Sequence, residues 1–453
     1  MLAGAAASAL AAGGIYELVD QLSGAPPERT VAPPRPDEQH LLDGVSVIVD
    51  NDVEVVIPPL HHQLVTANVR ADDLRAAQRE LSDALDELDH RYEQTPAGLG
   101  VTLAWGLRYF EGRVPTAWRT HAPYDRRAGK PALLPAVRFP SDPDETLLED
   151  NDVAILLRSD SRDHLAHAAG VLFGDLDVFD VTSIRRGFVG GGFGGRRSLP
   201  KQIAMAAGVP GADLIPTSAQ LFLGFTSTQK DALGPRLIAN HETLGLVDLG
   251  PKHYFRQGTS MHVSHLFEDL EAWYLNFDFR ERVATAFRPG QPELREGTLT
   301  VPQPLKRADS PRGVEREFQK QGRIGHSSAI QASSRLQRDH VATDGTVYKR
   351  GTAIPQRADF NTLDNPFDWS SRRDVDQMQP GPRAGLHFVV FNPSSDDFHR
   401  NRRAMDGVLP DGTRLPLNAR ERNQGFNSVL RTTHRQNFLV PPRRHRSFPL
   451  AEL

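Results

Sequence analysis

Two neighbouring segments decide how this chain is read. They are Ser-Ala-Gln-Leu-Phe-Leu-Gly-Phe-Thr-Ser-Thr-Gln (Ser218–Gln229) and Gly-Thr-Ser-Met-His-Val-Ser-His-Leu-Phe-Glu-Asp-Leu-Glu-Ala-Trp-Tyr (Gly258–Tyr274). The first predicts a buried strand that stops abruptly at Gly224-Phe225. The second predicts a strand that turns into a helix around Glu268. Where a strand ends and a loop opens, the backbone is fixed and the side chains are accessible, so binding groups are expected in this region.

Composition sets the frame around these segments. A chain of 453 residues is too long for one compact core and implies two domains or a duplicated one. A hydrophobic share of 39% suffices for a packed protein, while 34 prolines and 37 glycines imply much irregular structure. Lys+Arg 53 against Asp+Glu 57 gives 53 − 57 = −4, a balance that argues against a nucleic-acid binder. The locally basic end, Arg443, Arg444, His445 and Arg446, reads as a solvated tail. With no cysteine, the chain can form no disulfide, thiolate nucleophile, iron–sulfur cluster or Cys-ligated haem.

Met1 to Gly14 is almost wholly Ala, Gly and Leu. That is the apolar part of an export signal without its basic region, or else the start of an N-terminal helix running through Ile15 to Leu22. The run is too short and glycine-rich for a confident membrane span. An exported or cell-envelope location is expected, with a cytoplasmic one still open. Residues 1–36, ending in a proline-rich linker, precede two expected halves at 37–215 and 216–453.

In order, Gly44 to Ile57 predicts a strand or hairpin, and Arg70 to Tyr92 a helix with Leu74, Leu81, Leu85, Leu88 and Tyr92 on one stripe. Gly98 to Phe110 predicts a strand and a glycine break. Asp152 to Arg158 predicts a strand, with a helix at Asp163 to Phe173; Gly385 to Phe391 and the segment to Met405 repeat that plan. Two strand–turn–helix units of one style suggest a duplicated α+β domain with helices on antiparallel sheets. Gly190-x-Gly192-x-x-Gly195 matches a dinucleotide fingerprint only formally and reads as a loop. Gln291 to Gln321 and Gln356 to Gly381 read as surface insertions.

His262 and His265 offer a metal pair only on a helix. On a strand their odd spacing sends them to opposite faces, and the segment reads as strand. His61, His62, His164 and His167 read as surface residues. A serine hydrolase finds no Gly-x-Ser-x-Gly support. The four tryptophans read as packing.

Taken in order, these pieces resemble the dye-decolorising peroxidase superfamily. Gly100 to Phe110, Asp152 to Phe173, Leu221 to Thr228, Gly258 to Trp273, Lys349-Arg350-Gly351 and Gly385 to Phe398 are similar to successive pieces of that family. The resemblance implies two ferredoxin-like halves forming a dimeric α+β barrel, with haem b in the C-terminal half. It implies His326 as proximal iron ligand and Arg350 as distal arginine, with Lys349 the alternative. Gly224 and Phe225 then belong to the Gly-Phe-x-Asp-Gly motif, and the family's aspartate falls on Ser227, which cannot do the same acid–base work. The partners implied are hydrogen peroxide and a small reducing substrate; a homo-oligomer is left open. Three functions stand at this point. The first is an exported haem protein with weak or altered peroxide-dependent oxidation. The second is a haem-free relative acting as a binding or structural protein, and the third a His/carboxylate metalloprotein.

Overall fold

The computed structural model describes residues 14–23, 38, 42–190, 197–226, 252–301, 310–341, 347–351, 354–364, 370, 376, 381–418 and 425–453. Ser227 and Trp369 lie outside the described residues, as does most of the glycine-rich loop at 191–196 and the apolar segment 1–13.

A hairpin opens the body. β1 (Ser46–Asp50) and β2 (Val53–Ile57) meet at Asn51-Asp52, whose positive φ values of 51° and 61° give the twist a two-residue hairpin needs. The first unit then runs β3 (His61–Val69), α1 (Leu74–Arg91), β4 (Gly100–Trp105), β5 (Val153–Ser159), α2 (Arg162–Gly170) and β6 (Phe179–Phe188). α1 starts where the Asp73 carboxylate accepts from Arg75 N and Ala76 N, and it buries Ala77, Leu81, Ala84, Leu85 and Leu88 against the sheet. α3 (Leu199–Ala207) follows.

The second unit is β7 (Thr259–Glu268), α4 (Leu270–Asn276), α5 (Phe279–Ala286), α6 (Pro311–Gln321), α7 (His326–Ser334), β8 (Phe360–Asp364), β9 (Arg383–Asn392), α8 (Ser395–Met405) and β10 (Leu430–Val440). Both units order their strands fourth, first, third, second: β6-β3-β5-β4 and β10-β7-β9-β8. Each is therefore ferredoxin-like. The second strand of each unit pairs with the last strand of the other, at Leu439↔Trp105 and Asn361↔Phe188, closing one barrel. Barrel closure removes the exposed edges that two separate sheets would carry. Alternate residues fill the interior, among them Leu64, Leu156, Met261, Val263, Val389, Phe391 and Phe438.

Several expectations are corrected. Leu221 to Phe225 is a turn, not a strand: Gly224 takes φ +89°, and Tyr274 OH and Trp273 Nε1 donate to the Phe222 and Leu223 carbonyls that a ladder would have used. Gln356 to Gly381 is not simply an insertion, because β8 within it closes the barrel. Gln291 to Gln321 holds α6 and the buried Leu299 and Val301. His61 and His62 are buried, His61 beneath the helical residues 14–23, whose Asp20 carboxylate lies 2.7 Å from His61 Nε2. His164 and His167 pack on the Tyr92 ring, half-buried.

The basic end is no solvated tail. Arg443 and Arg446 pair with Asp89, and Arg444 with Glu38. Beyond them Phe448 and Leu450 enter the core, while Trp105 Nε1 and Tyr109 OH donate to the Arg446 and Pro449 carbonyls. Among the described residues no helix is long and apolar enough to cross a membrane.

Candidate functional site

Along β7 and β9 the side chains that do not enter the barrel point outward, toward the helices of the second unit. Ser264, Leu266 and Glu268 on β7 and Leu386, Phe388 and Val390 on β9 form one wall of a cavity. α8 lies on these strands, and α7 packs against α8 and α5 to form the opposite wall with His326, Ser327 and Ile330. Phe225 and Phe426 close two sides. The cavity's walls are mainly apolar.

His326 is the first residue of α7, and its place follows from Gly325 before it. A Cβ on Gly325 would lie 2.4 Å from the carbonyl oxygens of Ala284 and Phe287, so the helix start can approach the end of α5 only with glycine there. Ser328 N donates to Phe287 O at 2.9 Å, and Ser327 Oγ to Ala286 O at 3.2 Å, fixing the first turn. The imidazole leans on the Phe426 ring at 5.0 Å. Its Nδ1 is buried and has no hydrogen-bond partner among the described residues. Burial first, then the positive charges of Arg357 and Arg402, push its pKa down to about 3. The ring is therefore neutral at any physiological pH and able to donate a lone pair.

The same cavity is also lined by a buried charge cluster. Asp142, from the first unit, accepts from both terminal nitrogens of Arg435 on β10 and from Arg402 on α8. Arg402 also reaches Asp406 at 2.9 Å. Arg435 has its pKa pushed down to about 10 by burial, against the opposing pull of Asp142. Arg357 enters the cavity beside Asp359, Nε to Oδ1 3.9 Å.

The structure thus brings His326 and Phe225 to one cavity, with Gly224 in the turn beside Phe225. It does not bring Arg350 there. Arg350 is exposed on the turn after a short hairpin, its backbone N–H donating to Asp339, and Lys349 pairs with the same carboxylate. The cavity arginine from this stretch is Arg357, seven residues on. Sequence order alone missed it because the Lys-Arg-Gly step drew the match to the turn after that hairpin. Arg402, Arg435 and Asp142 were also missed: their union depends on the meeting of the two units, which no local pattern reports. His262 and His265 do point to opposite sides of β7, His262 beneath α8 and His265 into the barrel. Among the described residues no group of three His or carboxylate side chains could hold a metal ion.

Comparison with known proteins agrees with this architecture. The signature of a family of unknown function (DUF7405) matches residues 59–442. No curated protein matches the sequence. Among solved structures, the DyP-type peroxidase from Cellulomonas bogoriensis superposes with a TM-score of 0.51 at 20% identity, covering 92% of this chain and 96% of that one. The encapsulated DyP-type peroxidase from Mycobacterium smegmatis gives 0.46 at 13% identity, over 86% and 95%. A variant of DypB from Rhodococcus jostii RHA1, solved in complex with haem, gives 0.46 at 14% identity, over 87% and 96%. The shared feature is the α+β fold of the dye-decolorising peroxidase superfamily.

Proposed function

This chain belongs to the DUF7405 family, and from that membership together with its DyP-type fold we propose that it binds haem b through His326 and oxidises a small reducing substrate with hydrogen peroxide. The observation that carries the reading is the His326 imidazole itself: neutral, at the edge of an apolar cavity, with its inner nitrogen unbonded among the described residues. A flat apolar macrocycle bearing carboxylates fits walls of Leu, Phe and Ile that also carry arginines. When bound, haem supplies the iron at which peroxide is cleaved.

The chain's own residues then do the following. His326 is a lone-pair donor held in place by the Gly325 contact. Among the described residues no acceptor stands against its Nδ1, so none of them raises its basicity as a hydrogen-bonded carboxylate would. Arg357 is placed to stabilise negative charge that develops within the cavity. Serine at position 227 supplies no ionisable acid, which by itself lowers turnover by about 10²- to 10⁴-fold. Weak or altered activity follows.

One observation favours the haem-free alternative. Asp142 and Asp406 already pair with Arg402 and Arg435, so a ligand carboxylate has to compete with carboxylates of the chain. Titration of the purified protein with haem separates the two readings. Stoichiometric uptake with the intense Soret band of a histidine-ligated haem supports the first, and a folded protein that takes up none supports the second. Export is proposed on the composition of Met1 to Gly14, and amino-terminal sequencing of protein recovered outside the cytoplasm tests it.

A further inference from the structure

One hydroxyl on the sheet wall has a hydrogen-bond chain behind it. Ser264 Oγ lies 2.6 Å from His262 Nε2, and His262 Nδ1 lies 2.6 Å from Asn437 Oδ1. The far end of the chain fixes the roles. Asn437 Nδ2 donates to the Leu134 carbonyl at 2.9 Å and lies 3.2 Å from His399 Nε2. Turning the amide over would set its oxygen against that carbonyl. Oδ1 therefore faces His262, Nδ1 carries the hydrogen, and Nε2 is left as an acceptor. The Ser264 hydrogen is committed to Nε2, and its oxygen presents lone pairs to the cavity.

Nothing about this unit is loose. His262 is 2% exposed and stacks on Phe398 with ring centroids 3.4 Å apart and planes 15° apart. His326 on the helix wall and Ser264 on the sheet wall line the same cavity, Ser264 together with Leu266, Leu386, Phe388 and Val390. A ligand with an O–H donor finds in Ser264 an acceptor already oriented by a base and by the base's own partner.

We propose that Ser264, backed by His262 and oriented through Asn437, is the proton-handling group of the cavity for a hydroperoxide. This rests on the haem reading and supplies what Ser227 lacks. The peroxide O–H donates to Ser264 Oγ. As its proton moves to Oγ, the original hydroxyl proton moves to His262 Nε2, leaving hydroperoxide anion and imidazolium. The reverse movement returns one proton to the far peroxide oxygen and restores the serine and the neutral ring. One proton leaves and one returns, and neither side chain changes oxidation state.

Two experiments test this. In the haem-free protein, ¹⁵N spectra of histidine should show His262 with Nδ1 protonated and Nε2 a hydrogen-bonded acceptor, whose resonance moves in Ser264→Ala. An Nε2-protonated ring overturns the assignment whatever the haem content. In the haem-loaded protein, Ser264→Ala should keep wild-type haem uptake and Soret band while peroxide turnover falls about 100-fold. Ser264→Thr and Ser264→Val have nearly the same shape, so a packing cost is common to both, and the threonine protein should turn over at least about tenfold faster. Wild-type turnover in Ser264→Ala, or equal rates for the Thr and Val proteins, overturns the proposal and leaves the haem reading standing. A wild-type protein that takes up no haem overturns both.

Discussion

Asp142 and Arg435 join the two units of this protein by a two-point contact, Oδ2 to Nη1 at 2.7 Å and Oδ1 to Nη2 at 3.0 Å, with both side chains 2% exposed or less. The acid comes from the loop between β4 and β5, the base from β10. Arg402 adds a third member at 3.2 Å, and the Phe139 ring lies 4.8 Å from the Arg435 guanidinium carbon.

Removing the acid leaves the buried Arg435 guanidinium without its two-point carboxylate partner, while Arg402 keeps Asp406. Asp142→Asn should therefore destabilise the fold by about 3–5 kcal/mol, read from denaturant midpoints. An effect below about 1 kcal/mol would mean that the cluster is wet and screened.

Acid should loosen the protein through its histidines. His326 and His399 have pKa values pushed down to about 3 and about 4, and burial holds His262 and His387 well below their usual range. All four are depressed relative to the unfolded chain, so the unfolded state binds more protons once pH drops below about 6.5. Stability should hold above that pH and fall from there toward pH 4. Each such ring contributes a slope of at most about 1.4 kcal/mol per pH unit. Denaturant midpoints between pH 7.5 and 4.5 check the trend, and His399→Gln should make it shallower.

The two candidate arginines predict opposite outcomes. Arg357 lines the cavity and Arg350 is exposed on the turn after a short hairpin. In haem-loaded protein, Arg357→Ala should lower peroxide turnover by about 10²- to 10³-fold. Arg350→Ala should leave it unchanged.

The carboxy-terminal segment should behave as core. Phe448 is fully buried beside Trp105, Tyr109 and Phe179, its ring stacked on that of Phe179 at 5.7 Å. Phe448→Ala should cost about 3–5 kcal/mol by thermal or chemical unfolding, where a solvated tail would show no change.

These cases also show what could be read in advance. The α1 stripe, the strands β5 and β9 with their helices, and the strand-to-helix turn at Glu268 were legible, because each carries its own period over several residues. The duplication followed from two such units. β8 was not legible: Phe-Asn-Thr-Leu-Asp is five residues, too short to show alternation, and its role is to meet Phe188 from the other unit. His61 and the basic end looked solvent-facing because their partners, Asp20, Asp89 and Glu38, lie far away in the chain. Of the site, His326 was singled out by family order. The Arg402–Asp142–Arg435 cluster and the Ser264–His262–Asn437 chain depend on tertiary contact, and nothing in the local sequence signals them.

The most direct test compares haem uptake by the wild-type protein and by His326→Ala, each checked for folding by circular dichroism. The account predicts one haem per wild-type chain with a strong Soret band, and in the folded alanine protein a loss of that band, with partial recovery on adding imidazole. Equal uptake and equal spectra in the two proteins, or no uptake by the wild type, would contradict it.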